Sequence, residues 1–190
     1  MRSLFVAFVL ALAASAGARA APDRVVESVG GVDVALPVPE GYVVARGSEL
    51  IAMAELLTPS PMRLVALFID ERDMRLRDSG QAMQLQRYFL VQTVRQLEAL
   101  TLGDAEITSL KANVRQQSPS VFDEGANSIS VLTGTKSQDG MSGSALTTVI
   151  VRGKVLYFNA NSRLQSEADL EWLRARSRDW VTRTNAANAR

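Results

Sequence analysis

Ser144-Ala-Leu-Thr-Thr-Val-Ile-Val-Arg-Gly-Lys-Val-Leu-Tyr-Phe-Asn-Ala160 holds two β-prone runs joined by two residues, Arg152-Gly153. A two-residue loop of this kind pairs adjacent antiparallel strands. Pairing around it sets Ile150 opposite Val155 and Thr148 opposite Tyr157 on one face, with Val149 opposite Leu156 and Thr147 opposite Phe158 on the other. Both faces carry apolar side chains, so both call for cover, and helices are the available cover. A third β-prone run, Ser128-Ile-Ser-Val-Leu-Thr-Gly-Thr135, precedes them and joins through a flexible turn over Ser137 to Gly143. The end of the chain therefore reads as a β-meander.

Working outward, Ser166-Glu-Ala-Asp169 opens a final helix as a capping box with Asp in the place of Glu or Gln. That helix is expected to run to about Thr184, with Asn185 to Arg190 frayed. Leu170, Leu173, Ser177, Trp180 and Val181 share one face and should dock on the sheet, while Trp172 lies off that stripe and stacks on Arg176. Upstream, Val25 to Val29 and Val32 to Leu36 flank Gly30-Gly31 as a hairpin. Glu49 to Leu57 reads as a short helix capped by Ser48 and stopped by Thr58-Pro-Ser-Pro61. Arg63 to Ile69 reads as a strand buried on both faces. Asp70 to Asp78 reads as a charged connector. Met83, Leu90, Val94 and Leu97 fall at helical spacing and predict a long helix from about Gln81 to Leu100, capped by Asp78 or Ser79 and stopped by Gly103. In that helix Arg87 needs a partner. Thr108 to Gln116 reads as a helix and Gln117 to Asn127 as a loop. The fold class is α+β: an antiparallel sheet with helices packed on its faces, ending in the meander and a C-terminal helix.

The first residues have a secretory pattern. Met1-Arg2-Ser3 is a short positive region, Leu4 to Ala14 an apolar run, and Ala18-Arg19-Ala20 a signal-peptidase pattern. The apolar run is too short for a membrane span. The lack of an Arg-Arg pair favours the general secretory route over the twin-Arg route, and the lack of a Cys at the cleavage site excludes a lipid anchor. Residues 1–20 are therefore expected to be a signal peptide cleaved after Ala20, and residues 21–190 a single globular domain in the periplasm or secreted. No later stretch is apolar and long enough to cross a bilayer.

Charge and composition narrow the function. The chain has 21 Lys and Arg against 20 Asp and Glu, and loss of Arg2 and Arg19 leaves 19 basic residues. So balanced a charge steers the domain neither to nucleic acid nor to anionic lipid. There is no Cys and no His. That removes thiol chemistry, Ser-His nucleophiles and the commonest metal ligands.

What chemistry remains is sparse. Lys136 and Lys154 are expected near each other at one end of the meander, with Ser137, Ser142 and Ser144 close in sequence, but Gly140-Met-Ser-Gly-Ser144 is no nucleophile elbow. Asp70, Glu71 and Asp73 are interleaved with Arg72, Arg75 and Arg77, and Asp123-Glu124 stand alone. Neither group has calcium-loop spacing. No catalytic, cofactor-binding or metal-ligating residue is assigned.

Val34-Ala-Leu-Pro-Val-Pro-Glu-Gly-Tyr42, the Arg152-Gly-Lys-Val-Leu156 hairpin and the Trp172–Trp180 helix together resemble PsbP-like domains, α/β sandwiches of secreted and lumenal proteins. The likeness covers about half of the chain beyond Ala20. It implies a non-catalytic accessory module and transfers no site residue. On these grounds the chain reads as a non-catalytic exported binding or accessory module for another envelope protein or a small apolar ligand. Its mark would be an exposed apolar groove beside Tyr88 and Phe89. One alternative is an assembly factor docking to a membrane complex through Arg174, Arg176, Arg178 and Arg183 of the last helix. The other is a hydrolase using carboxylates or a Ser-Lys pair.

Overall fold

The meander pairs in the register set by its two-residue turn: Val151 opposite Lys154, Ile150 opposite Val155 and Thr147 opposite Phe158. Arg152 and Gly153 both take positive φ, 52° and 78°, the backbone twist that tight hairpins favour. In this computed structural model the described residues are 23–56, 58–137 and 140–189. The expected signal peptide, its expected cleavage site and the tip of the first meander turn lie outside them.

A hairpin of β1 (Arg24–Val29) and β2 (Val32–Pro37) forms its own two-stranded sheet. Gly30 and Gly31 turn it with positive φ, and a Cβ on Gly30 would lie 1.7 Å from the Glu98 carbonyl oxygen, so glycine is required there. The main sheet holds β3 (Tyr42–Val44), β4 (Met62–Asp70), β5 (Arg87–Val94), β6 (Val121–Glu124), β7 (Ser128–Ser137), β8 (Gly140–Val151) and β9 (Lys154–Leu164). It is antiparallel throughout, in the order β3-β4-β5-β9-β8-β7-β6. The helices are α1 (Ser48–Leu56), α2 (Glu71–Asp78), α3 (Asp104–Gln117) and α4 (Glu167–Asn188). Among the described residues, no helix is long and apolar enough to cross a membrane.

Several expectations are corrected. The predicted helix over 81–100 is the central strand β5, followed by a 3₁₀ turn at Arg95–Leu97. Phe89 and Val91 enter one core and Leu90 the other, so a strand buried on both sides produced an apolar run with accidental helical spacing. Asp78 and Ser79 end α2, which replaces the charged connector, and Gly103 precedes α3. Val121–Glu124, read as loop, pairs with β7. The first meander turn is shorter than expected, since pairing persists to Ser137 opposite Gly140. Residues 185–188, expected to be frayed, are helical. Helix α4 continues to Asn188, whose side-chain amide both accepts from the Ala35 N–H at 3.0 Å and donates to its carbonyl at 2.8 Å.

Helix α4 starts as its sequence indicates: the Asp169 carboxylate accepts from the Ser166 and Gln165 N–H groups at 3.0 and 2.9 Å. It buries Leu173, Ser177, Trp180, Val181 and Thr184. Together with β1 and β2 it closes one face of the main sheet over Phe68, Phe89, Leu156 and Phe158. Trp180 stacks on Phe158 at 4.1 Å, and Phe158 on Phe89 at 5.3 Å. Trp172 is half-buried and stacks on Phe89 at 5.5 Å. The cation over it is Arg87 at 4.5 Å, in place of the expected Arg176, and Arg87 finds its partner in Asp169 at 2.8 Å.

Candidate functional site

The other face of the sheet also carries a helix, as expected, but α1 covers only part of it. Strand alternation and the registers put Tyr88, Leu90 and Gln92 of β5 beside Asn161, Asn159 and Tyr157 of β9, with Ser144, Leu146 and Thr148 of β8 next in line. Helix α1 spans nine residues and lays Leu50 and Ala54 over Leu67, Ile69 and Leu90. Beyond it the surface falls into a trough of about 570 Å³ bounded by Pro59, Pro61 and Met62 on one side and by Leu146 and Tyr157 on the other.

The floor of the trough is polar but internally bonded. Gln92 is buried at 3 % exposure. Its amide donates to Thr58 Oγ1 at 2.9 Å and accepts from Asn159 Nδ2 at 3.0 Å. Asn161 Nδ2 donates to the Asn159 carbonyl at 3.1 Å, and the Ser144 hydroxyl donates to Asn161 Oδ1. Each amide keeps spare hydrogen-bonding capacity for a ligand. Burial pushes the phenols of Tyr88 and Tyr157 up, so both stay neutral hydroxyls over the physiological range.

A second pocket of about 250 Å³ adjoins the trough through Tyr88 and Leu90. Met53, Leu67, Ile69 and Leu85 supply most of its apolar wall, and Gln84 and Arg163 its polar part. Leu85 has φ +46°, an uncommon conformation for a side chain branched beyond Cβ, and such outliers concentrate at ligand sites. A buried carboxylate holds it there: Asp73 accepts from the Gln84 N–H at 2.8 Å and the Leu85 N–H at 3.1 Å. A third depression, lined by Leu85, Gln86, Tyr88, Ser142, Asn161 and Arg163, continues the same surface. Tyr88 stands where the three meet.

The groups singled out for chemistry are engaged elsewhere. Asp70 caps α2 by accepting from the Arg72 N–H at 2.7 Å, and Glu71 faces Arg75. Asp123 pairs with Arg178 at 3.0 Å, and Glu124 with Lys111 at 2.9 Å and with Arg115. Lys136 and Lys154 do not meet. They pair with Met141 and Val151, at opposite ends of β8, about 33 Å apart along the strand. Lys154 is buried and donates to the Glu98 and Leu100 carbonyls, both at 2.9 Å, tying the 95–100 segment to the sheet. No group of three or more His, Cys, Asp or Glu side chains is placed to hold a metal among the described residues.

The arginines of α4 do not form one free basic face. Arg174 pairs with Glu171, Arg178 with Asp123, and Arg183 faces Asp179 while donating to the Val38 carbonyl. Of the two aromatics expected beside a groove, Tyr88 lines it and Phe89 is buried on the opposite face. The trough residues of β9 and the Asp73–Leu85 support were not foreseen. Their signal was the alternation Tyr157, Asn159, Asn161, which puts amides on a face that a covered sheet would keep apolar.

No family model matches the chain, and no curated protein matches it. Among solved structures, LpqN, described as involved in cell envelope biogenesis of Mycobacterium tuberculosis, aligns at 11 % identity over 77 % of this chain and 79 % of its own, with a TM-score of 0.32. The Ran-binding protein Mog1p of Saccharomyces cerevisiae aligns at 11 % identity over 87 % and 92 % of the two chains, with a TM-score of 0.37. Neither is described as a PsbP-like domain. At these scores the two matches set no family and no function for this chain, and what stands of that resemblance is the α+β architecture itself.

Proposed function

We propose that this chain is a non-catalytic binding module, one domain over residues 21–190, exported by its first 20 residues and released after Ala20 into the periplasm. Its ligand lies in the trough on the half-covered face of the sheet. The observation that carries this reading is that trough: a preformed concavity with an apolar wall and a few fixed amides, the usual composition of a small-molecule site. The engagement of Asp70, Asp73, Asp123, Glu124 and Lys154 in structural contacts supports a binding role over hydrolysis. The pairing of Arg174, Arg178 and Arg183 leaves the C-terminal helix a poor docking face for a membrane complex.

The test uses N-phenyl-1-naphthylamine, a neutral apolar fluorophore. The chain should enhance its emission saturably, and Leu146→Arg, on the rim of the trough, should abolish the enhancement. Val26→Arg, at an exposed apolar position away from the trough, should leave it unchanged. Equal enhancement by Leu146→Arg and the parent, at equal melting temperature, would place the apolar site elsewhere and overturn the reading.

A further inference from the structure

The three connected depressions are lined by a single charged side chain, Arg163, which borders both the 250 Å³ pocket and the depression beside it. Arg163 is exposed at the head of the pocket, and no carboxylate of the described residues pairs with it. The nearby acid Asp73 is spent on two backbone N–H groups. Met53, Ala54, Leu67, Ile69 and Leu90, which line the rest of the pocket, are all apolar and buried or half-buried. The site is thus an apolar recess with one cation at its mouth. Tyr88 also lines the recess, and its hydroxyl makes no hydrogen bond to the described residues.

We infer that the recess between α1, β4 and β5, with Arg163 at its mouth, is a site for a single-chain carboxylate amphiphile. The tail enters among Met53, Leu67 and Leu90, and the carboxylate meets Arg163. The inference rests on the trough reading above and names the ligand class for that surface. A guanidinium presents parallel N–H donors that match the two oxygens of a carboxylate. One cation balances one negative charge, whereas a phosphate dianion would leave charge uncompensated. A recess of about 250 Å³ favours one chain over two. The apolar end supplies affinity without a preferred orientation, and Arg163 fixes which end faces out.

Titration calorimetry with four probes below their micelle-forming concentrations tests the inference: decanoate, decanol, decyltrimethylammonium and butanoate. Decanoate should bind at least tenfold more tightly than decanol. Decyltrimethylammonium should be the weakest of the ten-carbon probes, and butanoate should not bind where decanoate saturates. Arg163→Gln should bring decanoate to within twofold of decanol and leave decanol unchanged, while Arg163→Lys keeps part of the preference. The Arg163 side chain is exposed and makes no hydrogen bond within the described residues, so these variants should fold. Met53→Trp, which fills the recess from α1, should weaken decanol and decanoate alike. If decanol and decanoate bind equally, or Arg163→Gln keeps the decanoate preference, the inference falls and fluorophore binding in the trough still stands. If the fluorophore and all four probes fail to bind, both the inference and the trough reading fall.

Discussion

Strand β5 carries Phe89, Val91 and Thr93 on one face and Tyr88, Leu90 and Gln92 on the other; β9 carries Phe158 and Ala160 against Tyr157, Asn159 and Asn161. The first set lies under a 22-residue helix and a hairpin, and its rings stack in a continuous series from Trp180 through Phe158 to Phe89. The second set lies under a nine-residue helix whose cover ends near Leu90. Residue type follows cover. Where α4 reaches, the sheet is mainly aromatic and aliphatic, with small hydroxyls such as Thr147 and Ser130 bonded to each other. Where α1 stops, it carries amides that bond to one another and to Thr58. The difference teaches that the open surface of this sheet, where binding is proposed, is defined by the length of the element above it, since the strands themselves run through both environments.

The contrast is broken most directly at its two aromatic ends. Trp180 is 1 % exposed and stacked, so Trp180→Ala should cost about 3–5 kcal/mol, the range for emptying a large aromatic site. Tyr157 lies at the trough, and Tyr157→Ala should cost about 1 kcal/mol. Trp172 belongs between them. Its stacking on Phe89 and its place under Arg87 raise the expectation for Trp172→Ala to about 1–2.5 kcal/mol. Urea unfolding of the three variants gives the ranking. A Tyr157→Ala cost equal to that of Trp180→Ala would mean that the trough face is as closed as the helix face.

How much of this was legible in the chain depends on how local the cause was. Arg152-Gly153 and the alternation around it determine the meander register within a few residues, and that register is observed. Trp180 could be placed in the core because one helix face decides it. Strand β5 was not legible in the same way. Its pattern follows from burial on both sides by elements far away in sequence, and Leu90 and Val94 then fall at helical spacing by chance. The available signal was composition, since Tyr-Phe-Leu-Val-Gln-Thr-Val over 88–94 is rich in aromatic and β-branched residues. Helix α2 was hidden because its charged side chains face water and its one buried residue is an acid, Asp73. The trough is the least local feature: the end of α1 is legible at Thr58-Pro59, but which strands α1 lies over, Leu67, Ile69 and Leu90, is decided by residues far away in sequence.

The start of α4 sharpens the comparison through acid. The Asp169 carboxyl is held down at about 2, first by the Gln165 N–H and then by Arg87 and Ser166, against an ordinary 3.8. A carboxyl with a depressed folded value stabilises the fold above its unfolded value, and that contribution is lost as pH falls toward the folded value. The window here is therefore roughly pH 4 down to 2. Asp169→Asn should lower stability at neutral pH, and the gap between variant and parent should close across that window. The bonds of Asp169 fasten the helix that covers the closed face, so the gap should appear in global unfolding. A gap that stays constant from pH 7 to 2 would show that Asp169 acts through shape and not through charge.

The smallest effect concerns polar atoms on the face that looks most apolar. Ser177 Oγ, Trp180 Nε1 and Thr184 Oγ1 are buried on the inner side of α4 with no hydrogen-bond partner among the described residues. A buried hydroxyl without a partner carries a desolvation cost of about 1–3 kcal/mol, and a helical Ser or Thr ordinarily offsets it by bonding back to a carbonyl four residues earlier. Thr184 makes no such bond, although Thr182, one residue pair earlier on the exposed side, donates to the Arg178 carbonyl at 3.0 Å. Thr184→Val keeps the shape and branching while removing the unpaired oxygen, so it should be neutral or stabilising by up to about 1 kcal/mol in urea unfolding. Ser177→Ala should move the same way, but part of any gain there comes from the higher helix propensity of Ala, of about 0.5 kcal/mol, which makes Thr184 the cleaner readout. A loss of more than about 1 kcal/mol in Thr184→Val would mean that ordered water bridges these atoms beneath α4. The closed face would then hold water of its own, and what separates the two faces would be access from outside and not dryness.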